Sequence, residues 1–503
     1  MATISEAIGL TLEQKIVPTI FESLWELDPI YPMIQRSSMN VVRNSNIGRG
    51  WKIQKTWVTG VAGGAKFTAA QGGNVVSGPS NFNVYDTPQS FQGVDETSTP
   101  AFIQSNVTLI EHRGNFYLPH QLLRADRLNA SIGSVVAQNL KGVGELLAQQ
   151  EASLFYGASD STGGLAGIGD TSATVTNKTV PAADTSVMRF LLDGTNSTTG
   201  RVHRFRPGMM VDLYDSTGVT KRNVGFSLVV DNVDPLASTV EIRRIDGGTF
   251  QVTTTLNGGV TYAGAGGDND IIVIKDSVNQ TPKGLESWIV DGVSSTSFFG
   301  IDVRNFGQFK SYIPASIGSA LTENVLNKHF AKFFESFLGK KIDTAITTMG
   351  VLIGFIDNLD SGFQAAANAS SGRVRYDRNG MAYEIDAGWE SFKYRFASRP
   401  VEIYTSTYAA FGTLYAGKMR DGGIIRYVPP TIPGAKVDAR FGTEVEFVAP
   451  LGGTGGMQGI FKHAHSTTGS TTDFVEAPFV RQWNCMPSNP NWMKLVGITE
   501  VLG

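Results

Sequence analysis

The sequence holds one cysteine, Cys485, in 503 residues. That excludes an intrachain disulfide framework and fits assembly in a reducing compartment. The lone thiol reads better as a buried, inert side chain than as a nucleophile. Charge is also scarce: 17 % of residues are charged, against about 25 % in ordinary globular proteins. A chain with so few charges is expected to hide much of its surface against neighbours. No basic surplus is present, with 42 Lys and Arg against 45 Asp and Glu and a net charge of −3. Tight nucleic-acid binding draws on such a surplus, because each neutralised phosphate releases counterions. DNA, if this protein meets it, is therefore contained rather than gripped. No run approaches about 18 apolar residues, so no membrane span is expected. MATISEAIGLTLEQKIVP lacks a basic region leading into an apolar run, so no signal peptide is expected either.

What is present is glycine, 57 residues of 503, on a 41 % hydrophobic background. The length allows about three domains of ~150 residues. Residues 1–47 read as an N-terminal arm: Thr11 and Gln14 make a capping box, and Leu12, Ile16, Ile20 and Leu24 follow at helical spacing, with Pro18 and Pro29 as breaks. Segments 48–60 and 102–111 read as strands. Between them, 61–98 is rich in Gly, Ser and Asn, and its only charges are Lys66, Asp86, Asp95 and Glu96. Structureless connections beyond about 15 residues are unusual inside compact domains. This one is therefore expected to be disordered or to lie extended on something else, as a two-stranded arm on a neighbouring subunit would.

The clearest helical pattern covers 126–156, with Leu128, Ile132, Val135, Val136, Leu140, Val143 and Leu147 on one face and Gly157 as a stop. Unbroken, it would run on the order of 45 Å. Gly133, Gly142 and Gly144 weaken it by roughly 1 kcal/mol each, so packing has to hold it. Residues 160–200 read as a polar linker with a short helical candidate near Met188–Leu192. From 205 to 276 the pattern becomes short strands, 209–215, 225–234, 238–246, 248–256 and 268–276, at intervals typical of a small barrel or sandwich. An oligonucleotide-binding barrel is one reading. Against it, Arg204, Arg206, Arg243 and Arg244 are offset by Asp212, Asp215, Asp231 and Asp234, and no stacking aromatic cluster is visible. Beyond 284–315, Thr322 caps a helix over 322–338 lined by Leu326, Phe330, Phe333, Phe334 and Phe337 and stopped by Gly339. Alternating strands are expected from there on, including 383–388, 400–406, 443–450 and 479–486.

This order resembles the major capsid protein fold of tailed double-stranded DNA bacteriophages. VTLIEHRGNFYLPHQLLRADRLNAS (107–131) resembles the passage from an extended loop into a spine helix, and LFYGASDSTGGLAGI (154–168) the end of that helix. GLESWIVDG (284–292) followed by FFGIDVRNFGQFKSYI resembles the return to the central domain after an insertion. FVRQWNCMPSNPNWMKLVGI (479–498) resembles the last strand pairing, which returns to the peripheral domain. The fold class implied is α+β: an N-arm, an extended β-hairpin loop, a long spine helix, peripheral and axial domains, and an inserted small β-barrel-like domain. The expected divisions are 1–47 arm; 48–118 extended loop and flanking strands; 119–160 spine helix; 161–283 insertion; 284–470 axial domain and mixed α/β body; and 471–503 closing peripheral strands.

The resemblance further implies hexamers and pentamers in an icosahedral shell around packaged DNA, a portal, and room for decoration proteins. Only the short arm precedes the extended loop, which leads to the expectation of a separate scaffolding protein. Trp51, Trp57, Lys66 and Phe67 are the expected intersubunit contacts. Lys52, Lys55 and Lys66 are available for a covalent cross-link, but no partner or catalytic acid for one is visible, so none is expected.

Chemistry is hard to find in the rest. GTLYAGK (412–418) matches part of a phosphate-binding loop, but Met419 stands where Ser or Thr must reach magnesium. His463 and His465 could share a strand face, yet a metal needs three or four ligands. The six histidines (112, 120, 203, 329, 463, 465) are too scattered to nominate a base. No catalytic residue, cofactor or metal is expected. The rival readings are a nanocompartment shell, a tail or adhesin protein, and, more remotely, a hydrolase.

Overall fold

The computed structural model describes Ile30 and residues 33–44, 50–58, 102–119, 149–156, 166–167, 178–179, 186–192, most of 202–293, 296–337, 341–364, 384–385, 391–396, 399–429, 445–447, 462–464 and 474–500. The capping box, the whole helical face at 128–147, and the segment 61–98 lie outside these residues.

Strands β1 (Gln35–Ser37) and β2 (Val41–Asn44) come from the segment read as an arm, and both are woven into the body. β2 pairs with β3 (Gly50–Val58), which pairs antiparallel with β4 (Phe102–Thr108) from Lys52↔Thr108 to Val58↔Phe102. β5 (Ile110–Pro119) continues directly from β4. A helix, α1, is described over residues 149–156, the last part of the long helical pattern. It lies between two cores. Ala152, Phe155 and Tyr156 join the central cluster, and Leu154 joins the core of the next sheet.

That sheet is built from β6 (Ala166–Gly167), β7 (Lys178–Thr179), β8 (Val187–Leu191), β9 (Met210–Tyr214), β10 (Leu228–Asp234), β11 (Thr239–Arg244) and β12 (Ile271–Ile274), in the order β6-β12-β9-β10-β11-β8-β7. Of the strands expected in 205–276, the segments 209–215, 225–234, 238–246 and 268–276 hold β9 to β12, whereas 248–256 pairs with nothing in the ladder. Gly247 turns the chain at φ +72, Thr254 N–H donates to Gln251 O, and Phe250 and Leu256 simply drop into the core. The short helix expected near Met188–Leu192 is instead β8. Its alternation buries Met188 and Phe190 and turns Arg189 outward to Glu241, which suits a strand paired to β11. The described ladder is an open path, with no pairing between β6 and β7 among the described residues.

The chain then makes a short helix, α2 (Leu285–Trp288), and the two-residue strands β13 (Ser297–Phe298) and β14 (Ile301–Asp302). The capped helix appears as expected: α3 (Glu323–Ser336), with Val325 N–H donating to Thr322 Oγ1 and Leu326, Phe330 and Phe333 buried. After β15 (Thr344–Thr347) comes a second helix, α4 (Met349–Gln364), where only strands were expected. Its first turns, MGVLIGF, are a short apolar run that periodicity alone cannot assign to helix or strand. In space Val351, Leu352 and Phe355 bury one stripe against the α3 core. Strands β16 (Glu384–Ile385), β17 (Ser391–Phe396), β18 (Arg399–Thr405), β19 (Leu414–Gly417) and, near the end of the chain, β24 (Met493–Leu495) complete a six-stranded sheet, β16-β17-β18-β15-β19-β24, under these helices.

The remaining sheet is organised on β23 (Phe474–Pro487). β5 pairs with it from Phe474↔Pro119 to Trp483↔Ile110, β21 (Val445–Phe447) and β22 (Lys462–Ala464) pair on it as well, and β20 (Ile424–Tyr427) pairs with its last four residues. β1 adds in parallel to β20. The closing segment therefore splits: β23 returns to β5, while β24 belongs to the α/β sheet. One central core, containing Ile34, Phe155, Trp288, Phe309, Trp483 and Trp492, joins the hairpin region, α1 and both of these sheets.

Candidate assembly elements

The hairpin β3–β4 is anchored at its base. Ile53 is fully buried with Val41, Leu109, Tyr427 and Met486, and Trp51 packs at the edge of that cluster. Trp57 Nε1 donates to Ser105 Oγ at 3.0 Å, and its ring meets Phe298 and Phe309 edge-on at 5.8 and 5.5 Å. Lys55 lays its ammonium 3.9 Å from the Trp57 ring centre and donates to Pro487 O at 3.3 Å. Burial pushes the Lys55 amine down to about 8. At the far end of the ladder the paired Val58 and Phe102 are 56 % and 60 % exposed. There the chain leaves for 59–101, which holds Lys66 and Phe67 outside the described residues. Of the four expected contact residues, the two tryptophans are half-buried, each with part of its ring packed on its own chain. The apolar side chains at the exposed end, Val58 and Phe102, were not singled out from sequence. Strand alternation alone gives no reason to choose them over their neighbours.

Behind the hairpin, β13 and β14 form a two-residue turn, Phe299-Gly300, with φ of +47 and +87. Such turns favour Asn-Gly, because both residues must adopt positive φ. A phenylalanine in that region costs about 1–2 kcal/mol. Two aromatic contacts offset it, Phe298 at 4.9 Å and Trp288 at 6.1 Å, each worth about 0.5–1.5 kcal/mol.

The end of α1 is tied to the β23 sheet by a buried ion pair. Glu151 and Arg426 side chains are 0 % and 2 % exposed and 3.3 Å apart, and the Arg426 guanidinium lies 4.4 Å from the Trp483 ring centre.

The seven-stranded sheet spends many of its charges internally. Arg243 pairs with Asp231, Arg222 with Asp270, Arg189 with Glu241 and Arg244 with Asp246, while Arg204 is buried and donates to Tyr408 O. Of the arginines weighed for nucleic acid, Arg204, Arg243 and Arg244 are thus committed to carboxylates or to the interior. An open groove of about 540 Å³ lies between Val224, Phe226, Ile245 and Asp246. At the centre of the sheet, Asp212 accepts from Lys221 Nζ at 2.8 Å, Asn223 Nδ2 at 3.0 Å and Asp276 N–H at 2.8 Å. Burial alone would raise the Asp212 carboxyl, but these donors outweigh it and hold the group below its ordinary 3.8. A depressed carboxyl stabilises the fold above its unfolded value, and that contribution is lost as pH falls through the folded value. Asp212→Ala is expected to cost about 2–3 kcal/mol at pH 7. The difference from the parent should shrink below about pH 4 in denaturant titrations; a constant difference across pH would mean that the charge is not what matters.

GTLYAGK does not wrap a phosphate. Residues 414–417 are the buried strand β19, paired between β15 and β24 in the α/β sheet. Cys485 is buried in β23. His463 lies in β22, and His465 falls outside the described residues. Among the described residues no group of three His, Cys, Asp or Glu side chains could hold a metal ion. No helix among them is long and apolar enough to cross a membrane.

No family model and no curated protein sequence matches this chain. Solved structures do resemble it. The capsid asymmetric unit of cyanophage A-1(L) aligns over 94 % of this chain and 93 % of its own, at 9 % identity and a TM-score of 0.38. The capsid of a native GTA particle aligns over 93 % and 90 %, at 7 % identity and a TM-score of 0.36. The SrpI encapsulin of Synechococcus elongatus PCC 7942 aligns over 38 % and 53 %, at 10 % identity and a TM-score of 0.21. At such identities and superpositions, function has to be argued from this chain's own elements.

Proposed function

We propose that this chain is a shell-forming capsid subunit of the tailed-phage type. The observation that carries the reading is the ladder between β5 and β23. The strand that follows the hairpin β3–β4 is paired over its whole length by a strand from the closing segment of the sequence. This is the closure that the sequence resemblance implies for the peripheral region, with the segment 59–101 leaving from the opposite end of the hairpin. The low charge of the chain supports extensive burial against copies of itself.

In this reading subunits form hexamers and pentamers of an icosahedral virion shell, assembled in the host cytoplasm with a separate scaffolding protein and a portal, and open to decoration proteins. Double-stranded DNA is enclosed without sequence-specific contacts. A near-neutral chain leaves it free to slide, since phosphate contacts would hold it. The subunit performs no catalysis and needs no cofactor.

Negative-stain electron microscopy of the purified chain, alone and co-expressed with its neighbouring genes, tests the reading. Polyhedral shells or hexameric rings are expected, and nucleic acid inside them separates a virion shell from a nanocompartment around a protein cargo. A dispersed monomer or a fibre under both conditions would overturn it. Deleting 61–98 is expected to abolish stable shells while leaving a folded subunit by circular dichroism. Normal shells from that variant would remove the loop from the assembly mechanism.

A further inference from the structure

A run of aromatic rings crosses the molecule from the hairpin to the helix. Trp57 on β3 meets Phe298 and Phe309. Phe298 meets Phe299 at 4.9 Å, Phe299 meets Trp288 at 6.1 Å, and Trp288 meets Phe155 on α1 at 6.1 Å. Each ring belongs to a different element or to the turn between two of them. One link is out of its ordinary backbone state: Phe299, at φ +47. A bulky residue stays in the left-handed region only while its surroundings over-determine it. Here those surroundings are the two rings on either side, one supported from the hairpin and one from α2.

We propose that the Phe298-Phe299 turn is a latch coupling the β3–β4 hairpin to α1. In the held state, seen here, Trp57 braces Phe298, Phe298 braces Phe299, and Phe299 packs on Trp288 beside Phe155. When the hairpin lifts, Trp57 withdraws, Phe299 relaxes to negative φ, and its ring leaves Trp288. Packed aromatic contacts of this kind switch between discrete arrangements rather than deform smoothly. The end of α1 then loses one wall of its packing. The coupling is a property of the single chain and goes beyond the shell reading, so it can be measured and can fail independently of assembly.

Hydrogen exchange on the full-length, unassembled chain tests it, read at the amides of 149–156. Trp57→Leu is expected to raise exchange there roughly tenfold, through the ring series that links residue 57 to the helix; Trp57→Phe, which keeps a ring, should stay near the parent. Phe299→Asn suits the turn's positive φ and removes the ring. It should raise exchange at 149–156 by itself, and adding Trp57→Leu to it should do nothing more. Should that variant unfold globally, Phe299→Asp makes the same cut. Effects of Trp57→Leu confined to β3 and β4 would overturn the proposal. So would an undiminished effect of Trp57→Leu in the Phe299→Asn background, because additivity means that the two sites act separately.

Discussion

Arg426→Ala is expected to destabilise the folded chain by about 3–5 kcal/mol. The magnitude comes from what is left behind. Glu151 is fully buried on α1, and its partner Arg426 is 2 % exposed on β20. Removing the guanidinium takes a countercharge from a carboxylate inside the protein and also strips a cation from the face of the Trp483 ring, 4.4 Å away. Removing both charges is different. Breaking one partner of a buried pair is costly, while replacing both by apolar groups of similar volume is often neutral. The double variant Glu151→Leu with Arg426→Met is therefore expected to recover most of the loss. Urea unfolding of the parent, both single variants and the double variant measures the cycle. A loss under about 1 kcal/mol in Arg426→Ala would mean that water or other groups satisfy Glu151 and that this ion pair does little to hold α1.

Gly417→Ala should be nearly as damaging, about 3 kcal/mol, at the top of the range for overpacking a core. A Cβ at Gly417 would fall 2.4–2.6 Å from three atoms of the Trp492 indole. The ring cannot easily step aside, because Trp492 Nε1 donates to Asn489 O at 3.2 Å and its backbone N–H donates to Ser311 Oγ at 3.4 Å. Shrinking the neighbour with Trp492→Leu should relieve part of the clash, so the two substitutions combine non-additively. Gly307→Ala, where nothing lies within 4 Å of the added carbon, is the control and should unfold near the parent's denaturant midpoint. An equal, stabilising shift at both glycines would point to the lowered entropy of the unfolded chain, not to the Trp492 contact.

The same glycine shows where sequence reading stops. As part of GTLYAGK it resembles a fragment of a phosphate loop; in space it is a flat place in a buried strand that admits an indole from the closing segment of the chain. The capped helix α3 was legible because its signals are local: Thr322, the Phe spacing and the glycine stop all lie within or beside one element. β3, β4 and β9 to β12 were legible for the same reason, as alternation bounded by turns. β8 was misjudged because so short a strand cannot separate a helical stripe from an alternating one. α4 was missed because its first turns are apolar on nearly every side. The segment 248–256 looks like a strand but finds no ladder to join, and only its burial is used.

Of the candidate contact residues, Trp51 and Trp57 stand out in the sequence as aromatic side chains beside a low-charge, glycine-rich segment. Nothing local reveals that Phe298 and Phe309, far along the chain, take up the Trp57 ring. By itself the sequence determined composition and local order: a low-charge, glycine-rich chain, a hairpin, a capped helix, a β-rich middle segment and closing strands. The tertiary structure decided the pairings, among them β5 with β23, Glu151 with Arg426, Gly417 with Trp492 and Trp57 with Phe298. Capping and alternation act over neighbouring positions and are written in their spacing, whereas packing joins side chains far apart in sequence, whose match exists only once the chain has folded.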